Sequence, residues 1–99
     1  MKKIRIFRLN EWHPGAKEIV ETIGDFINRG EEVLGIPEEV SYTAIEMILS
    51  YFDGEELTGV DKESVEYAAI QNIENCIDTI VDNGYPLDWI IKELRRIIQ

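Results

Sequence analysis

The apolar positions of this chain change their spacing once. Residues 3–9, Lys-Ile-Arg-Ile-Phe-Arg-Leu, alternate and are rich in β-branched and aromatic side chains, which predicts a strand. Ile4 and Ile6 share one face and Phe7 and Leu9 the other, so both faces carry apolar surface. From Pro14 onward the apolar residues recur at three and four. Ile19, Val20, Ile23, Phe26 and Ile27 form one stripe, which predicts a helix over 14–29 with Gly30 as its left-handed stop. A connector over 31–37 follows, ending in Gly35-Ile36-Pro37.

A second helix is predicted within 38–53, with Ile45, Ile48, Leu49 and Phe52 turned inward. Its start is open: Pro37 suits a first helical position, and Thr43 with Glu46 three residues on suits a capping box. Asp61 reads as the cap of a third helix over about 62–83, along which Val65, Ala69, Ile73, Cys76, Ile77 and Ile80 repeat at three and four. Asn83-Gly84 ends it. Pro86 opens a last helix over about 86–98, where Leu87, Ile90, Ile91, Leu94, Ile97 and Ile98 cover more than half the surface.

The fold expected is mainly α: a single four-helix domain over residues 1–99 with one short N-terminal β-strand. It becomes α+β if a second strand exists, for which Glu32-Val33-Leu34 is the candidate. A lone strand leaves both its edges unpaired, so pairing across a two-fold axis is the other solution. That strand and the broad apolar face of the last helix together predict a homodimer.

Composition narrows the functional classes. The chain has 99 residues, with 20 acids against 10 bases and a formal net charge of -10. This disfavours direct binding to nucleic acid, which needs a basic face to displace counterions from phosphates. One Cys excludes an internal disulfide and any two-Cys zinc motif. Arg5 and Arg8 interrupt the apolar run that a signal peptide needs, and no stretch approaches a membrane span. A cytoplasmic, reducing setting without membrane contact is expected, with Cys76 a free thiol on the inward stripe of the third helix.

The charge is unevenly spread. Residues 1–10 hold four bases and no acid, residues 11–91 hold 19 acids and three bases, and the last eight hold three bases and one acid. Acids in first helical turns and bases in the last turn follow the helix macrodipole, and an acidic face keeps a small protein soluble. A more specific pattern is the acid pairs Glu31-Glu32, Glu38-Glu39 and Glu55-Glu56, with Asp53 beside the last. If the connectors lie at one end of the bundle, these seven carboxylates form one field that attracts a basic protein surface and speeds association. In charge and size the chain is similar to acidic proteins that occupy nucleic-acid grooves on enzymes, and to acidic immunity proteins that cap toxic nucleases. An inhibitor, immunity or regulatory factor is therefore expected, of phage or mobile-element type and not an enzyme, whose partner is a basic surface such as that of a nucleic-acid-binding enzyme.

The alternative is a DNA-associated regulator. Leu57-Thr58-Gly59-Val60-Asp61-Lys62-Glu63-Ser64-Val65 resembles the turn and recognition-helix start of bacterial helix-turn-helix domains. The position four before the glycine, usually small, is Glu55, and Asp61, Glu63 and Glu66 would face phosphates. A calcium loop starting at Asp53 fails, with Thr58 at its sixth position and Ser64 at its twelfth. His13 is the only histidine, so a two-His metal site is impossible, and Trp12-His13-Pro14 reads as a corner between strand and helix. No phosphate loop or nucleophile elbow is present, and no metal or cofactor is expected. Trp89, beside Asp88 and near Tyr85, is a candidate binding aromatic, with closure of one end of the core as its structural role.

Overall fold

A computed structural model describes residues 15–56 and 59–99 as four helices: α1 (Ala16–Leu34), α2 (Glu38–Phe52), α3 (Val65–Asp82) and α4 (Leu87–Ile98). No strand occurs among the described residues. The strand expected over 3–9, together with Trp12 and His13, lies outside them. Glu32-Val33-Leu34, the candidate second strand, is helical and forms the last turn of α1.

α1 runs five residues beyond its predicted end because Gly30 is not its stop. Gly30 is buried inside the helix, where a Cβ would come within 2.9 Å of the Asn72 amide nitrogen. That amide donates to the Phe26 carbonyl at 2.9 Å, bridging α3 to α1. Glycine is therefore there for a close helix approach. The stop is Gly35, at φ +69°, after which the Ile36 N–H reaches the Gly30 carbonyl at 3.0 Å and the Ile36 side chain is buried.

The other helix ends follow from local chemistry. Pro37, with extended ψ and no N–H to lose, sits just ahead of α2. Thr43 is not a cap; its hydroxyl donates to the Glu39 carbonyl within the helix. Ser64, not Asp61, caps α3, its hydroxyl oxygen accepting from the Tyr67 N–H at 3.2 Å. Asp61 accepts instead from the Glu63 N–H at 3.0 Å, in a turn that precedes the helix.

α1 and α3 run antiparallel. Phe26 meets Asn72 in the first half of α3, while Glu18 accepts a hydrogen bond from the hydroxyl of Tyr85, just past the end of α3. All four helices feed one core built mainly of isoleucine: Ile19, Ile23 and Ile27 from α1, Ile45 and Ile48 from α2, Ile70, Ile73, Ile77 and Ile80 from α3, and Ile90 with Leu94 from α4. Each such side chain contributes about 1.5–3 kcal/mol on burial. Three residues predicted to face inward lie at helix ends and are less covered: Phe52 is 38% exposed, Val65 37% and Leu87 39%. Ile91, Ile97 and Ile98 pack against the core as partly buried residues, so most of the α4 apolar surface is covered within the chain.

The Gly30–Asn72 contact gives a test of this packing. Alanine at 30 should gain up to about 1 kcal/mol of helix propensity, but only after the Asn72 amide moves. We expect Gly30→Ala to stabilise an Asn72→Ala background and not the wild type. A double-mutant cycle by urea denaturation should give a coupling of about 1 kcal/mol. Equal effects in both backgrounds would contradict the contact.

Candidate functional site

The seven acids singled out from the sequence fall into two groups. Glu31 and Glu32 lie in the last turn of α1, and Glu38 and Glu39 in the first turn of α2, with only Gly35–Pro37 between the helices. Asp53, Glu55 and Glu56 follow the far end of α2. The fifteen residues of α2 hold the two groups roughly 22 Å apart at the rise of an α-helix. Exposed charges are screened beyond ~8 Å at physiological ionic strength. They are therefore two local fields, not one.

The helix dipole explains some of these positions and not others. Glu18, Glu38, Glu39, Glu66 and Asp88 sit in first turns, where the positive end of the dipole favours them. Glu31 and Glu32 sit at the negative end of α1, in a last turn without a base. Asp53, Glu55 and Glu56 adjoin the negative end of α2, and Asp82 closes α3; neither helix has a base in its last turn. Only α4 ends as the dipole prefers, on Arg95 and Arg96. Apart from Asp53, which Arg95 of α4 engages, the acids at these helix ends have no cation among the described residues to offset the dipole and oppose local stability.

Side-chain surroundings refine the picture. Glu31, Glu32, Glu39, Glu55 and Glu56 are exposed, and Glu38 is half-buried and bonded to Tyr42 one turn along α2. Burial first, and then the charge and hydrogen bond of Glu38, push the Tyr42 hydroxyl above its usual range. Asp53 is engaged by Arg95 of α4 at 2.7 Å, in a pair open to solvent on both sides. The Glu55 N–H donates to the Ser50 carbonyl at 3.0 Å, folding the connector back on the end of α2. Each acidic group also neighbours exposed apolar side chains: Val33 and Leu34 at one end of α2, Tyr51 and Phe52 at the other. The Tyr51 and Phe52 rings meet edge to face with centroids 6.0 Å apart.

Trp89 does not join either group. It is half-buried in the first turn of α4, packs against the core, and lies 6.4 Å from the Tyr85 ring. Tyr85 in turn meets Glu18, at the opposite end of α1 from Glu31 and Glu32. Cys76 is fully buried among apolar residues, and burial pushes its thiol up to about 12. A thiol so placed does not ionise near neutrality and is inert.

One residue escaped the sequence reading. Glu93 is fully buried, the only charged side chain so placed among the described residues, with a carboxylate oxygen 3.6 Å from the Arg96 guanidinium. Its spacing from Ile90 and Ile97 places it on the apolar stripe of α4, and that was the available signal. Among the described residues no group of three His, Cys, Asp or Glu side chains is placed to hold a metal ion. No helix there is long and apolar enough to cross a membrane.

The segment around Gly59 lacks the spacing of a helix-turn-helix. Twelve residues, 53–64, separate α2 from α3, whereas that motif joins its helices by a turn of about 3–4 residues. Asp61, Glu63 and Glu66 are all exposed on or just before the start of α3, where phosphates would be repelled. No protein-family model, curated protein or solved structure matches the chain.

Proposed function

We propose that this protein is a non-enzymatic interaction factor, an inhibitor or immunity-type protein, whose acidic helix ends engage a basic surface of a partner protein. The observation that carries this reading is the placement of Glu31 and Glu32 at the negative end of α1 and of Glu55 and Glu56 just past that of α2, where Asp53 is engaged by Arg95. Solubility alone needs acids somewhere on the surface and has no preference for sites where the dipole opposes them. Exposed apolar residues beside each group add the contact area that charge alone does not supply.

In its sharper form the partner is a nucleic-acid-binding enzyme, and the two carboxylate groups occupy places that phosphates otherwise take. A pull-down with the full chain as bait, followed by competition with duplex DNA, tests this. The expected result is a basic partner that binds the chain or the DNA but not both. A partner that binds both at once would remove the mimicry. A partner held equally well at high salt would remove the electrostatic reading altogether.

A further inference from the structure

α1 continues past its own contact with the core. Its last buried residue is Gly30, yet the helix runs on through Glu31, Glu32, Val33 and Leu34, all exposed, before Gly35 ends it and Ile36 returns to the core. Val33 is 71% exposed, the highest value for a large apolar residue among the described residues, and Leu34 is 57% exposed. Neither side chain is part of the core. These two side chains add nothing to the core, and exposed apolar side chains rimmed by charge offer a partner contact area that charge alone does not supply.

The rim here is acidic. Glu31, Glu32 and Glu39 are exposed at this corner, and no ion pair engages them among the described residues. The negative end of α1 and the positive end of α2 meet at this corner, so the negative field here is that of the carboxylates themselves, with no base in the last turn of α1. The far end of α2 is less available: Asp53 is already held by Arg95, and the Tyr51 and Phe52 rings rest on each other.

The geometry points to the α1–α2 corner as a docking knob for a basic amphipathic segment of a partner protein. Apolar side chains of that segment cover Val33 and Leu34, and its flanking Lys or Arg side chains meet Glu31, Glu32 and Glu39. This rests on the reading that the carboxylates face a basic protein surface, and narrows it to one end of α2. The chemistry is charge complementarity around a small apolar centre.

A synthetic amphipathic helix of leucine and lysine, titrated into the isotope-labelled full chain, serves as the probe. Amide shifts should concentrate over residues 29–40. The Val33→Ser/Leu34→Ser variant should fold normally and bind about tenfold more weakly, through lost apolar burial. A scrambled peptide of equal charge without an apolar face should bind more weakly still. Shifts centred on residues 50–56, or the serine variant binding like the wild type, would overturn the corner and leave the basic-surface reading standing. Peptide binding insensitive to salt would overturn both.

Discussion

Exchanging Glu31, Glu32, Glu55 and Glu56 for lysine is expected to make the fold more stable and its association with a basic partner slower. Glu31 and Glu32 close α1, and Glu55 and Glu56 follow the end of α2, without a base in either last turn. A cation at such an end is favoured by about 0.3–1 kcal/mol at low ionic strength, and the carboxylate it replaces is disfavoured there. None of the four side chains is buried, so no core contact is lost. The two α1 sites contribute a gain of roughly 0.6–2 kcal/mol, and Glu55 and Glu56, past the end of α2, add less. In the same variant the steering field is reversed, and the association rate should drop by about ten- to a hundredfold. Thermal denaturation and stopped-flow association measure the two effects on one sample. A stability gain with unchanged association would mean that these acids only solubilise the chain.

Raising the pH should destabilise the protein through Cys76. Its thiol is fully buried, and burial displaces it from 9.0 up to about 12. In the unfolded chain the thiol ionises first, so the stability it contributes is whole below about pH 9 and drains away as pH climbs towards 12. The loss over that window is about 4 kcal/mol, a large fraction of the roughly 5–15 kcal/mol that holds a domain together. Tyr42 and Tyr85 are displaced in the same direction, Tyr42 mainly by burial and Tyr85 mainly by its bond to Glu18, and they steepen the decline above pH 10. Cys76→Ala should cost about 1 kcal/mol at neutral pH and flatten the alkaline decline. Urea midpoints across this range check it; parallel declines for variant and wild type would show that Cys76 is not the source.

The helices were legible where apolar residues repeat and obscure where a tertiary contact decides. The stripe from Ile19 to Ile27 and that from Ala69 to Ile80 each have a single inward face, and both are buried as read except for Phe26, which is half-buried. Gly30 misleads because a glycine after Arg29 is a good stop signal, and only the approach of Asn72 shows why it lies inside a helix. Asp61 and Ser64 are both capping residues three apart, and pattern alone does not choose between them. Phe52, Val65 and Leu87 have helical spacing but lie at helix ends, where the neighbouring layer no longer covers them.

The acidic residues themselves were visible from composition and pairing. Their division was not, because it depends on α2 standing as an unbroken fifteen-residue spacer between the two groups. Their position against the dipole was hidden for the same reason as the Gly30 error: with α1 ending at residue 29, Glu31 and Glu32 look like connector residues. Once α1 extends to Leu34 they become last-turn residues, and Val33 and Leu34 become a projecting apolar turn.

The association rate with the captured partner, followed from low to high salt for the wild type and the four-lysine variant, addresses the central claim most directly. A steering acidic surface predicts a wild-type rate that falls steeply as salt screens it, and a variant rate that is slow at low salt and rises or stays flat. Rates that are independent of salt and equal in both proteins would contradict the claim, and would shift attention to Trp89 and the surface of α4 as the binding face.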